Sequence, residues 1–411
     1  MLIANARAGR AAYPDELRAI MSIERAEQSR RWLAPWPALA RGATPLYDLP
    51  DTAAALRVAR FSVKDESVRS PLGSFKALGA PIALVRQILR LHPGLEPGAI
   101  LAGRCAERLA GYSVVSATDG NHGRGLAAAA RDAGCRCVIV LHAQVSAERE
   151  AAIAAFGAEI VRIRGNYDES VAEAARLAAR HGWQVISDTS YDGYEDIPRD
   201  VMQGYSAIAA EIVEQTGARR GEDGAYTHVL LQGGVGGLAA GLVSYLWEWQ
   251  GARRPHFIVV EPEQADCLLQ SALRGRAARA SGTVDSLMAG LACGETSPLA
   301  WRFLSGSVDH FMTITDAQAV AAMRALAAGG ERDVPLVAGE SGVAGLAAAR
   351  LLRADPALSA ATGLDAQSRL LIVNTEGATA PGVYAELVGE PAEAVLARQA
   401  ARRKAGKITA G

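Results

Sequence analysis

Lysine is almost missing from this sequence. Of its 43 lysines and arginines only four are lysines: Lys64, Lys76, Lys404 and Lys407. Arginine stays protonated at neutral pH and cannot form a Schiff base, whereas a partly desolvated lysine can. Covalent amine chemistry is therefore confined to those four positions. Cysteine is scarce too, with five residues widely spread. Cys135-Arg-Cys137 has the wrong spacing for a zinc knuckle or a thioredoxin-type motif. The set reads as reduced thiols, and two free thiols are preferred to a bridge between Cys267 and Cys293. The seven histidines show no metal-ligand spacing. Charge of one sign is lacking as well. The net charge is -1, so no basic field exists to draw nucleic acid or an anionic membrane. Apolar runs such as residues 238–246 are broken by glycine and too short to cross a bilayer. The opening Met1-Leu-Ile-Ala-Asn-Ala-Arg7 lacks the apolar stretch of a signal peptide. These absences predict a cytoplasmic protein whose partner is a small molecule.

What is present is a well-buried globular composition, 50% hydrophobic and 21% charged. A chain of 411 residues exceeds one ordinary core, which predicts two domains or one two-lobed α/β unit. Short apolar runs alternate with helical periodicity. Strands are predicted at 57–64, 112–117, 136–141, 159–164, 183–187, 228–232, 256–261 and 369–374. Helices are predicted at 75–91, 122–133, 146–156, 167–181, 199–215, 237–250, 264–273, 313–328 and 342–352. Gly134, Gly157 and Gly182 stand where helices stop, and Ser146 where one starts. The first 55 residues, with Trp32, Pro35, Trp36, Pro37 and Pro45, read as an irregular arm, and 274–291 as a loop. The expectation is α/β, with mostly parallel sheets and helices on both faces. One lobe is nested in the other: 1–85 plus 208–411 form a large cofactor-binding domain, and 86–207 a small substrate-clamping domain.

Several polar turns follow predicted strands, at the sheet edge where open α/β folds bind ligands. Lys76 lies in Ser70-Pro-Leu-Gly-Ser-Phe-Lys-Ala-Leu-Gly79 with apolar neighbours. Lys64 is followed by Asp65 and Glu66, carboxylates that would keep it charged, and Lys404 and Lys407 lie in a basic tail. Ala117-Thr-Asp-Gly-Asn-His-Gly123 opens a helix and can present backbone N–H groups to a carboxylate. Gln232-Gly-Gly-Val-Gly-Gly237, between a strand and a helix, is a candidate phosphate cradle, because glycine lets a backbone approach closely. Val373-Asn-Thr-Glu-Gly-Ala-Thr379 follows the last strand. Asp188 and Glu340 sit in two further turns, where each could equally be a cap, and His122 reads as a turn or packing residue.

Together these segments resemble the tryptophan-synthase-type (fold type II) pyridoxal-phosphate enzymes over residues 55–390. The wording is most similar to the diaminopropionate ammonia-lyases. It is carried by Lys64-Asp-Glu-Ser67, Gly73-Ser-Phe-Lys-Ala-Leu-Gly79, Ala117-Thr-Asp-Gly-Asn-His-Gly-Arg-Gly125, Gly193-Tyr-Glu-Asp-Ile-Pro198, Met202-Gln-Gly-Tyr205, Gly233-Gly-Val-Gly-Gly237, Gly339-Glu-Ser-Gly342 and Thr375-Glu-Gly377. One departure is Ala378, where the family usually has an acidic residue. The resemblance implies that Lys76 holds pyridoxal 5'-phosphate by a Schiff base. It further implies that the N–H groups of Gly233, Gly234, Val235, Gly236 and Gly237 take the phosphate. Asn121 would meet the ring hydroxyl and Thr375 the pyridine nitrogen, and Glu340 joins the cofactor-binding set. Thr118 would hold the substrate carboxylate. In related serine and threonine dehydratases the position of Asp119 is small and uncharged. Two carboxylates, Asp119 and Asp188, suit an ammonium better than a hydroxyl, since a buried cation needs a partner. The implied reaction is elimination of 2,3-diaminopropionate to pyruvate and two ammonia, by a homodimer. Lys76 and Asp119 would serve as bases on opposite faces, with Asp188 beside them.

Two other readings are open. One is a hydroxy-amino-acid dehydratase on the same fold. The other is a dinucleotide-dependent oxidoreductase, since Gly234-Val-Gly-Gly-Leu-Ala239 fits G-x-G-x-x-A after a strand and Glu261 ends the next strand.

Overall fold

The computed structural model describes residues 1–404 except Asp119, Gln144, Asn166 and the side chain of Asp168. The strands in chain order are β1 Leu2–Ala4, β2 Leu46–Asp48, β3 Arg60–Asp65, β4 Ser113–Ala117, β5 Arg136–Leu141, β6 Glu159–Arg162, β7 Gln184–Val185, β8 His228–Gln232, β9 His256–Pro262, β10 His310–Ile314 and β11 Arg369–Asn374. They form two sheets, β1-β10-β9-β8-β11-β3-β2 and β6-β5-β4-β7. The five inner strands of the larger sheet are parallel, and β1 and β2 close its edges antiparallel. The smaller sheet is parallel throughout. Parallel strands need crossover connections, and helices supplying them cover both faces. That is why β8 is buried at every residue and β5 and β11 at all but the first.

The chain leaves the large sheet through helix Gly79–Leu91 and returns through helix Asp196–Thr216, which pack against each other. The seam is tight because of glycine. A Cβ on Gly204 would lie 2.2 Å from the carbonyl oxygen of Leu78, two residues after Lys76. Any side chain there would push the lysine turn away from the helix that backs it.

Several expectations are corrected. The first 55 residues are not irregular: they contain β1, β2 and three helices, Asp15–Ile20, Ile23–Leu33 and Pro50–Leu56. Ser22 caps the second helix by accepting from the Arg25 amide, and Trp36 is buried, its indole donating to Asp132 at 2.8 Å. Trp32, Pro35, Trp36 and Pro37 lie at the end of the second helix and Pro45 just before β2, rather than replacing these elements. Thr313 and Ile314 end strand β10. The next helix starts at Asp316, because Thr315 and Gln318 form a capping box there. The segment 75–91 is a 3-10 turn, Phe75–Ala77, followed by a helix from Gly79. The helices expected at 199 and 264 begin at Asp196 and Cys267. Helices Pro298–Leu304, Pro381–Val388 and Ala392–Lys404 were not expected at all. Among the described residues no helix is long and apolar enough to cross a membrane.

Candidate active site

The turns after β3, β4, β8 and β11 meet at one cavity of about 450 Å³. Lys76 is held by backbone zipping to the last loop: Phe75 N–H donates to Thr375 O at 3.0 Å and Gly377 N–H to Gly73 O at 2.9 Å. Its Nζ donates to Asp188 Oδ2 at 2.6 Å and lies near the rings of Phe75 and Tyr205. Burial works against the Lys76 charge, but attraction from Asp188 overcomes it and holds the ammonium above its ordinary value. Burial likewise opposes the Asp188 charge, and Lys76 and His122 hold that carboxyl well below the usual range. His122 is buried behind this pair. Its Nε2–H donates to Ile186 O at 2.8 Å, which turns Nδ1 toward Asp188 Oδ2 at 3.7 Å. Burial, only partly opposed by Asp188, lowers the imidazole below its ordinary value.

The glycine turn faces the lysine across the cavity. Gly234 and Gly236 have φ of +62° and +99°, in the left-handed region that glycine tolerates. A Cβ on Gly233 would meet Glu261 at 2.5 Å. Gly233 and Gly236 donate their N–H groups inside the protein, to Val260 O and Gly233 O. Gly233, Gly234, Val235 and Gly237 line the cavity, with Gly237 starting helix Gly237–Gln250.

Thr118, Asn121, Glu340 and Thr375 also line it. Thr118 Oγ1 accepts from the amides of Gly120 and Gly123. Asn121 donates to Glu376 Oε2 at 2.5 Å, and Glu376 also accepts from the Ser341 amide. Arg149, on the helix after β5, donates to Glu340 at 3.0 Å across the two sheets. Asp119 lies outside the described residues. Of the predicted set, then, the cavity wall holds Lys76, Asp188, Thr118, Asn121, Gly233, Gly234, Val235, Gly237, Glu340 and Thr375; Gly236 lies within the same turn.

Sequence reasoning missed Tyr205, Glu376, Arg149 and Ser341 as wall residues. Tyr205, Ser341 and Glu376 stood in the resembling segments, so a signal existed. Arg149 gave none, because nothing local marks which exposed helix arginine will reach another sheet. Lys64 is corrected. It is wholly buried and salt-bridged to Glu211 at 2.6 Å, not to its chain neighbours. Glu261 is also corrected as a ribose ligand. Its buried carboxylate accepts from the amides of Leu268 and Leu269. Among the described residues no group of three or more His, Cys, Asp or Glu is placed to hold a metal ion.

Glu340 gives a pH prediction. Burial first, and then Glu376, push its carboxyl above the ordinary value of 4.5. The folded protein then keeps this proton to higher pH than the unfolded chain does, so stability falls as pH rises from 4.5 to the raised value. Thermal unfolding of the Glu340→Gln variant should show a smaller drop in Tm between pH 5 and 8 than the parent; equal slopes would contradict the assignment.

The residues present fit a pyridoxal phosphate. A lysine amine and a glycine turn line one cavity, the turn holding Gly234 and Gly236 at positive φ where a side chain would be strained, and the buried Tyr205 hydroxyl lies beside the lysine. The comparisons agree. The model of the family described as pyridoxal-phosphate dependent enzyme matches residues 38–376. The diaminopropionate ammonia-lyase of Escherichia coli K12 is 37% identical over 358 residues, covering 86% of this chain and 88% of the relative. The crystal structure of holo diaminopropionate ammonia lyase from Escherichia coli superposes with a TM-score of 0.84. It is 33% identical and covers 94% of this chain and 96% of that one. The same enzyme in complex with an aminoacrylate-PLP azomethine reaction intermediate gives 0.83, with the same identity and coverage. By sequence and by fold alike, the chain belongs to the pyridoxal-phosphate dependent enzymes of fold type II and, among them, to the diaminopropionate ammonia-lyase family.

Proposed function

We propose that the protein is a lyase that converts 2,3-diaminopropionate to pyruvate and two ammonia. The observation that carries this is the 2.6 Å contact between Lys76 and Asp188. A Lys76 given over to holding the cofactor would no longer be free to serve as the ammonium partner of Asp188. A buried carboxylate then needs another cation, and the β-ammonium of diaminopropionate supplies one where the hydroxyl of serine does not. When bound, the cofactor supplies the electron sink that stabilises negative charge at the substrate Cα.

The chain's own groups do the rest. Thr118 and the turn after it hold the substrate carboxylate. Gly234, Val235 and Gly237 would receive the phosphate through their N–H groups, those of Gly233 and Gly236 being committed to Val260 O and Gly233 O; Asn121 and Thr375 would orient the ring, and Glu340 would border it. Lys76 removes the α-proton of one enantiomer, and Asp119 that of the other from the opposite face. Asp188 keeps the β-amine protonated, the form in which it leaves. The released enamine takes up water to give pyruvate and the second ammonia. The small domain of residues 86–207 clamps substrate against the large one, 1–85 plus 208–411. A cytoplasmic homodimer is the setting, in keeping with the reduced-thiol cysteine pattern.

The test is pyruvate release from D- and L-diaminopropionate and from L-serine. Diaminopropionate should be strongly preferred; faster turnover of L-serine would favour the dehydratase reading. Asp119→Asn should lower kcat by about 10²–10⁴-fold for one enantiomer and far less for the other. Full activity on both would remove Asp119 from the mechanism.

A further inference from the structure

A second cavity, of about 220 Å³, is lined by Ile20, Arg25, Arg86, Arg199, Asp200 and Gln203. It sits where helices Ile23–Leu33, Gly79–Leu91 and Asp196–Thr216 come together. Its charges do not balance. Arg90 and Arg199 engage Asp200, and Arg199 also pairs with Asp196 at 2.8 Å. Arg86 approaches Asp200 only to 3.9 Å, and its buried Nε has no hydrogen-bond partner among the described residues. Arg25 donates to the Ile20 carbonyl at 2.9 Å. The lining itself holds three guanidinium groups, Arg25, Arg86 and Arg199, against one carboxylate, Asp200, an excess of two positive charges. The Arg86 guanidinium is fixed in place, over the Trp32 ring at 4.9 Å and donating to Ser29 Oγ at 3.1 Å. Burial, with added repulsion from Arg90, Arg199 and Arg25 and opposed by Asp200, holds it below the ordinary guanidinium value.

We propose that this cavity binds a small phosphate-bearing anion through the Arg86, Arg199 and Arg25 guanidinium groups. Guanidinium forks match phosphate oxygens two at a time. A phosphate monoester carries close to two negative charges at neutral pH, which equals the excess. The volume admits a phosphate with little else attached, since pockets for larger ligands start at about 300 Å³. The site also touches the catalytic scaffold. Helix Gly79–Leu91 follows directly from the lysine turn, and helix Asp196–Thr216 carries Tyr205 against Lys76. An anion here bridges the two helices that meet behind Lys76. The proposal does not depend on the substrate of the main cavity.

The experiment is calorimetric titration of the holoenzyme, whose glycine turn already holds its own phosphate, with inorganic phosphate at ionic strength fixed by sodium chloride. One saturable site per chain is expected. Arg199→Gln and Arg25→Gln remove half-buried and exposed contacts and should fold. Each is expected to weaken phosphate binding about tenfold or more, the worth of one charge-assisted contact. Weakening in either variant supports the site. No saturation, or unchanged binding in both variants, overturns it and leaves an adventitious ion only.

Discussion

Lys76→Ala is expected to lose turnover of diaminopropionate by at least about 10⁴-fold in kcat, because in the proposed mechanism one residue would supply both the cofactor linkage and a base. Of the described lysines, Lys64, Lys76 and Lys404, Lys76 is the one in the wall of the main cavity. Lys64 cannot replace it, since it is locked to Glu211, Gln215 and the Thr44 carbonyl. The measurement is pyruvate release, together with cofactor retained by the chain after borohydride reduction and denaturation. The parent should retain one cofactor per chain and the variant none. Retention by the variant would place the linkage on another lysine.

Asp188→Asn should separate substrates rather than abolish activity. Leaving a buried charge without its partner costs about 3–5 kcal/mol, or roughly 10²- to 4 × 10³-fold. With the carboxylate gone, the β-ammonium of diaminopropionate bears that loss. L-Serine, with a neutral hydroxyl, should lose less kcat/KM, so the ratio between the two substrates shifts toward serine. An unchanged ratio would show that Asp188 does not read the leaving group. The cofactor-free protein offers a second check. The Asp188 pKa is depressed, so its stabilisation is present above 3.8 and lost as pH falls through the native value. The Lys76 pKa is raised, so its stabilisation is present below 10.5 and lost as pH rises through the native value. In Asp188→Asn burial of Lys76 is no longer offset and lowers its value, so the destabilisation should shrink as pH rises toward 10.5 and the unpaired lysine sheds its proton.

Much of the scaffold was legible because its signals are local. Gly134 and Gly182 stop helices with φ of +82° and +70°, conformations that glycine adopts without strain, whereas the helix before Gly157 already ends at Ala154. Helices 167–181 and 237–250 and strands 136–141, 228–232 and 369–374 match their periodicity to the residue. The N-terminal arm was misread because proline and tryptophan mark breaks without saying what lies between them. Strand β10 was absorbed into a helix because Thr313 and Ile314 continue an apolar pattern, and only the capping box at Thr315 divides it.

The sequence by itself determined which residues can do chemistry here. It contains four lysines, one glycine turn able to approach a phosphate, and a carboxylate-bearing loop after each of several strands. Those properties belong to single side chains and short backbone segments, whose sterics do not depend on distant partners. The tertiary structure decided which charges meet. Lys76 finds Asp188, 112 residues away, while Lys64 passes over the adjacent Asp65 and Glu66 for Glu211, 147 residues away. Coulomb energy depends on separation in space and on burial, and both are set only when the two sheets and the helices between them have packed.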